Sequence, residues 1–224
     1  NNIDSIKCGI QKIDENNRLF YLLMTSRFSD GRDSLWLASY DYKTRKIIQE
    51  WPLELDIQGA ETFQFNTVKL YDDPFRMYFL GYSEYGNGIF GCHDFESGST
   101  LFTFQLFTHY GNFDLTPDNL ELYVTDPGAF FNPIAGGTLY VLDAITGAYL
   151  HGISLYGYDT IPERPLNANN VIFTPKGGKA YVACGRMEKG SGTICVVDTK
   201  TRNIIKLIWP ELGHYPVIMT IGPK

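Results

Sequence analysis

The chain has 224 residues, room for one large domain or two small ones, and its 44% hydrophobic and 20% charged content is that of a globular protein rather than a disordered one. A formal net charge of −6, with no Lys/Arg cluster of the kind that marks a nucleic-acid site, argues against general nucleic-acid binding. No apolar run approaches the roughly 18 residues needed to span a bilayer.

Thirty Tyr and Phe residues favour pleated, half-buried strands, and 22 Gly with 11 Pro supply turns. Four copies of one pattern follow each other. The first has a short strand over 8–13, a turn at Asp14-Glu15-Asn16-Asn17 and a strand centred on Tyr21. A long loop over 25–34 leads to an apolar strand over 35–41 that ends in Asp41. Lys43-Thr44-Arg45-Lys46 then turn the chain into a last strand over 47–51.

The second copy turns at Asp72-Asp73-Pro74 into the strand of Tyr78, loops over 83–88, and ends its third strand at Asp94. Glu96-Ser97-Gly98-Ser99 lead to a strand over 101–106. The third begins with a strand over 112–115, turns at Thr116-Pro117-Asp118-Asn119 into the strand of Tyr123, loops over 126–137 and reaches Asp143. Ile145-Thr146-Gly147-Ala148 precede a strand over 149–155. The fourth runs through a strand over 171–173, the turn Thr174-Pro175-Lys176-Gly177-Gly178, the strand of Tyr181, a loop over 185–192 and a strand ending at Asp198. Lys200-Thr201-Arg202-Asn203 and a strand over 204–208 close it.

Each copy therefore reads A, turn, Tyr strand B, variable loop, strand C ending in Asp, turn, D. An Asp at that place can accept backbone N–H bonds across the turn. Four strands in roughly 50 residues match a blade of a β-propeller. Hairpins in a sandwich or barrel would show similar turn spacing, but not two anchors recurring four times in one order. The expected fold is an all-β propeller with blades over 6–57, 58–108, 109–159 and 160–213. The stretch 215–224 aligns with 169–176, and 214–224 is expected to be the first strand of a further blade, supplied in full by more chain or by a partner chain. Closure of an irregular four-bladed ring by that strand is the alternative.

Two passages of the fourth copy resemble the YVTN-type β-propeller repeat. They are Thr174-Pro175-Lys176-Gly177-Gly178-Lys179-Ala180-Tyr181-Val182-Ala183, and Gly192-Thr193-Ile194-Cys195-Val196-Val197-Asp198-Thr199-Lys200-Thr201. The third copy is similar over Leu115-Thr116-Pro117-Asp118, Glu121-Leu122-Tyr123-Val124-Thr125 and Gly137-Thr138-Leu139-Tyr140-Val141-Leu142-Asp143. The first two copies keep little beyond Tyr21, Tyr78, Asp41 and Asp94. The resemblance implies a propeller, commonly of seven blades, often in exported or surface proteins of prokaryotes. Its members include surface-layer domains, periplasmic dehydrogenase subunits and lactonase-like enzymes. The matched motif is structural and carries over no catalytic residue.

The chain begins Asn1-Asn2 rather than Met, so a processed or trimmed N-terminus is expected, which leaves room for a removed export signal. The long, dissimilar B–C loops are the expected contact face, since variable loops on a rigid scaffold usually carry binding residues. On that face stand His109-Tyr110, His214-Tyr215 and Phe130-Phe131, the candidate binding residues. A histidine ring could hold a metal, but two His are too few, and His-Tyr packing between blades is the competing reading; no metal or cofactor is expected. His93 is expected to serve its turn and His151 to lie on the surface. Asp30-Gly31-Arg32-Asp33 lacks the ligand spacing of a calcium loop and reads as a solvated turn. There is no nucleophile elbow, zinc helix or phosphate loop.

Four cysteines are too few for a disulfide-built scaffold. If the hairpin centres near Lys189 and Gly190, Cys184 and Cys195 stand opposite each other, a candidate disulfide in an oxidising compartment and two buried thiols otherwise. Cys8 and Cys92 are expected to stay reduced. The functional expectation is a non-catalytic binding or structural propeller in an extracytoplasmic place, contacting a protein or polymer. The alternative is a propeller subunit of a periplasmic redox enzyme or a lactonase-like hydrolase.

Overall fold

In the computed structural model the described residues are 3–28, 33–53, 63–72, 75–83, 88–106, 111–127, 137–155, 167–185 and 192–208. They form strands and no helix. The first sheet holds β1 (Ile3–Asp14), β2 (Leu19–Phe28), β3 (Asp33–Asp41) and β4 (Lys46–Pro52). The second holds β5 (Phe63–Asp72), β6 (Phe75–Ser83), β7 (Gly88–Asp94) and β8 (Ser99–Leu106). The third holds β9 (Phe113–Leu115), β10 (Glu121–Asp126), β11 (Thr138–Asp143) and β12 (Tyr149–Ser154). The fourth holds β13 (Asn167–Phe173), β14 (Lys179–Gly185), β15 (Thr193–Asp198) and β16 (Asn203–Ile208). In every sheet the strands lie in chain order, so each is a four-stranded antiparallel meander. The expected strands are all present, and the stretch 214–224 lies outside the described residues.

Three boundaries differ from the sequence reading, the first being that β1 begins at Ile3 rather than 8, because Ile3, Ser5, Ile6 and Lys7 pair with Phe28, Arg27, Ser26 and Thr25. The expected loop over 25–34 is largely strand, because Thr25, Ser26 and Arg27 pair with Leu35, Ser34 and Asp33. The first strand of the fourth sheet begins at Asn167 rather than 171, since a register shift between Ala168 and Asn170 lets a run of weak strand formers keep pairing with β14.

The four turns after the third strands share one construction. The Asp carboxylate accepts backbone N–H groups of the turn: Lys43 and Thr44 on Asp41, Glu96 and Ser97 on Asp94, Ile145 and Thr146 on Asp143, Thr201 on Asp198, all at 2.7–3.1 Å. The fourth residue after each Asp has positive φ. Gly98 and Gly147 adopt it freely, whereas Arg45 and Arg202 adopt it at 58° and 55°. The residue just after each Asp then bonds back to the neighbouring turn: Tyr42 to Arg18, Phe95 to Phe75, Ala144 to Leu120 and Thr199 to Gly178. This ties the A–B and C–D turns of a sheet together and explains why both anchors recur in step.

By contact density the chain divides into two compact units. One comprises residues 1–59, 68–79 and 91–103, and the other 60–67, 80–90 and 104–224. The core of the first unit includes Leu37, Ala38, Met77 and Phe79 at zero exposure. Around Trp51 gather Tyr21, Phe75 and Phe95, with ring centroids 5.3–6.3 Å apart. Gly91 is required there, because a Cβ on it would sit 2.4 Å from the ring of Phe79. In the second unit Tyr123, Leu139, Val141, Ile153 and Leu155 of the third sheet pack on Val171, Phe173, Val182 and Val197 of the fourth.

The register of β14 and β15 corrects the expected cysteine geometry. Lys179 pairs with Asp198, so Cys184 stands opposite Thr193 and Cys195 opposite Val182. The pairing is set from the Asp198 turn and centres about one residue earlier than expected. The cysteines are diagonal neighbours, a longer Cβ separation than a direct pair. They are free thiols with sulfurs 3.4 Å apart, both at zero exposure, and the Cys184 thiol also reaches the Val182 carbonyl at 3.6 Å.

Candidate binding groove

A groove of about 490 Å³ opens at the A–B turns of the third and fourth sheets, within the second unit. That volume lies in the range of small-ligand and peptide-anchor sites. Its walls are the two Thr-Pro turns. In the third sheet Thr116 N–H donates to the Glu121 carbonyl at 2.9 Å, and the Thr116 hydroxyl accepts from Glu121 N–H at 3.0 Å. In the fourth, Thr174 repeats both bonds with Lys179, at 2.9 and 3.2 Å. Asn119 and Gly177 complete the turns at φ 59° and 71°. The Thr thus closes the turn from both sides, and the Pro after it stands exposed on the wall. The turns are close packed: a Cβ on Gly177 would lie 3.2 Å from the Pro117 ring.

The acids of the groove are committed. Asp118 accepts from the Thr116 hydroxyl at 2.6 Å and from Leu120 N–H at 3.1 Å, and these bonds hold its carboxyl below the usual range. Glu121 pairs with Arg202 at 2.6 Å, joining β10 to the C–D turn of the fourth sheet. Beside that pair lies the Tyr123 phenol, pushed well up, first by burial and then by Glu121, with Arg202 opposing. What remains for a ligand is apolar surface on Pro117, Pro175 and Leu120, the last 59% exposed, and the ammonium groups of Lys176 and Lys200.

The residues named from the sequence fall in several places. His109, Tyr110, Phe130, Phe131, His214 and Tyr215 lie outside the described residues, as does most of the B–C loop face. The groove is at the other ends of the strands. Among the Tyr anchors, Tyr78 and Tyr123 are buried at 3% and 0% exposure. Tyr123 stands edge-on to Phe173 of the next sheet at 5.0 Å. Tyr21 is half-buried against Phe75 at 5.6 Å, and Tyr181 is half-buried. Tyr21, Tyr123 and Tyr181 each stand two places beyond the residue opposite their anchor Asp, but the four tyrosines differ in burial. His151 is exposed on β12, in line with expectation, and His93 is not a turn residue: it is 1% exposed and packs edge-on to Phe95. Burial pushes His93 below its ordinary 6.5, with Asp94 opposing.

A second polar group lies in the first unit. Arg76 Nε meets Asp94 Oδ2 at 3.1 Å beside Tyr78 and Cys92. Burial pushes the Cys92 thiol up to about 12, so it is protonated at neutral pH and a poor nucleophile. Among the described residues no three His, Cys, Asp or Glu stand together as a metal set. The sequence reading missed the roles of Thr116 and Thr174 and the groove itself. The repeated Thr-Pro pair was the available signal.

No protein-family model matches the chain, and no curated protein sequence matches it. Solved structures do. The chain is similar to hydrazine synthase of Kuenenia stuttgartiensis, with TM-score 0.56 and 13% identity over 84% of this chain and 46% of that one. It is similar to the Dos1 propeller, with TM-score 0.58 and 11% identity over 95% and 59%. It is similar to the β-propeller domain of Myceliophteria thermophila Cps50 (Swd1), with TM-score 0.56 and 11% identity over 96% and 58%. The chain thus spans between 46% and 59% of these three solved chains. At such identity the likeness is one of fold, and with the four meanders above it makes this an all-β chain of β-propeller blades.

Proposed function

We propose that this chain is a binding propeller without catalytic activity, of the YVTN repeat type, exported or displayed at a cell surface, and that it holds a segment of a protein or polymer partner. The observation that carries the reading is the groove between the Thr-Pro turns. Its acids are taken up by the fold, while apolar wall and two ammonium groups are left facing outward. Such a surface suits an extended segment with an apolar anchor. The repeat type is supported by the Thr-Pro and Asp turns having one bonding scheme in the third and fourth sheets. Contact through the B–C loops belongs to the same proposal, on the ground of their unequal lengths.

Selection from a random peptide library against the chain tests this. Peptides that bind the groove should protect the amides of 116–121 and 175–178 from hydrogen exchange. Leu120→Asp should weaken them about tenfold or more, the loss expected of a central apolar anchor. Binders that ignore Leu120→Asp and leave those amides unprotected would remove the groove as the contact. Recovery of the chain in the cytoplasmic fraction of its cells, and not outside it, would remove the export part.

A further inference from the structure

The seventh residue after each anchor Asp is an exposed aliphatic: Ile48, Leu101, Leu150 and Ile205, at 58%, 39%, 39% and 52% exposure. Each lies on the last strand of its sheet, an edge strand among the described residues. In three sheets the register shows why the position is special. The partner strand skips Ile48, Leu150 and Ile205, so each is the extra residue of a β-bulge. A bulge on an edge strand protects it from pairing with another chain. That purpose needs no aliphatic side chain, and an exposed one works against it. Folding therefore does not account for the same apolar residue standing out on four outer strands.

Charge then separates the four. On the turn and strand of Ile48 are Lys43, Arg45 and Lys46, all exposed, against Asp41, whose carboxylate caps the turn, and Glu50 on β4. On the turn and strand of Ile205 are Lys200 and Lys206, with the turn's Asp198 beside Lys200, while Arg202 is taken by Glu121. These lysines and Arg45 make no ion pair among the described residues. The corners of Leu101 and Leu150 carry no Lys or Arg. We infer that the corners at Ile48 and Ile205, each by itself, dock a polypeptide segment that alternates acidic and aliphatic residues. The knob supplies the apolar contact, and the cations, on a chain of net charge −6, supply the complementary field. Two or three cations per corner fall short of the four to eight that mark an anionic lipid surface, so a polypeptide is the occupant the charge count favours. The inference is separate from the groove, with which it shares only Lys200.

The test is fluorescence anisotropy with a labelled peptide alternating Glu and Val, against a control alternating Lys and Val. Two equivalents of the Glu peptide should bind, about tenfold more weakly when salt rises from about 50 to 300 mM. Ile48→Asp and Ile205→Asp should each remove one equivalent, and together both, with far-UV dichroism unchanged. Leu101→Asp, Leu150→Asp and Leu120→Asp should leave both equivalents in place. Lys46→Glu and Lys206→Glu should repeat the losses without touching the knobs. Absence of saturable binding overturns the inference. So does equal binding of the Lys peptide, or equal loss in Leu101→Asp and Leu150→Asp. Loss in Leu120→Asp alone would move the peptide to the groove. Binding of phosphatidylserine vesicles, but not peptide, with the same variant pattern would replace the polypeptide by a membrane.

Discussion

At the scale of single residues, the anchor Asp side chains act as caps for their own turns. Turn N–H bonds hold Asp41, Asp143 and Asp198 below the ordinary 3.8. For Asp94 burial pulls upward, but Ser97 N–H and Arg76 outweigh it. A carboxyl with a depressed value in the folded state contributes stability above about 3.8 that is lost as pH falls through the folded value. His93 behaves similarly one step higher. Its folded value is depressed, so below 6.5 the unfolded chain takes up a proton that the folded chain refuses, and stability falls as pH falls. The acid limb of a urea-midpoint profile should therefore have two parts, a shallow decline beginning near 6.5 and a steep one below 4. In His93→Leu the shallow part should vanish while the steep part stays. An unchanged profile would mean that His93 takes up its proton as readily in the folded chain as in the unfolded one.

At the scale of elements, strands B and C carry the core and strand D carries the surface. β10 is buried along nearly its whole length, whereas β12 is mostly exposed and β16 has no buried residue. Tyr123 on β10 fills the space between two sheets, with no exposure and Phe173 edge-on. Tyr181, at the same place on β14, is half-buried. Tyr123→Ala should cost about 3–5 kcal/mol, the usual loss for a fully buried aromatic, and Tyr181→Ala less than half of that. Chemical denaturation of the two variants checks the order. Equal losses would show that the fourth sheet buries its tyrosine as deeply as the third.

At the scale of the whole molecule, burial decides the state of the thiols. Cys92, Cys184 and Cys195 have zero exposure and belong to both compact units. Burial, followed by contact with Cys195, pushes the Cys184 thiol well above its ordinary value. Thiolate is the reactive form, so a thiol reagent should label at most one of the four cysteines in the native protein and all four in denaturant. Two labelled in denaturant, without reductant, would mean that Cys184 and Cys195 had oxidised despite their diagonal register. That outcome would also favour export, since such bonds persist in oxidising compartments.

Four meanders, their order and their turn chemistry were legible in the sequence because those signals are local. Asp41, Asp94, Asp143 and Asp198 bond within three residues of themselves, and Gly98 and Gly147 answer a positive φ four residues away. Strand ends were less legible where Ser26 and Asn167 pair against their propensity, because the partner strand supplies what the residue lacks. Whether a repeated Tyr is buried, which residue faces Cys184, and that Leu120, Pro117 and Pro175 share a groove were decided only in the tertiary structure. Each depends on how one strand or sheet lies against another, and no residue encodes that by itself. The aliphatic seven places after each Asp stood in the sequence throughout. Its meaning required the register, which alone shows that Ile48, Leu150 and Ile205 are the residues left out of the ladder.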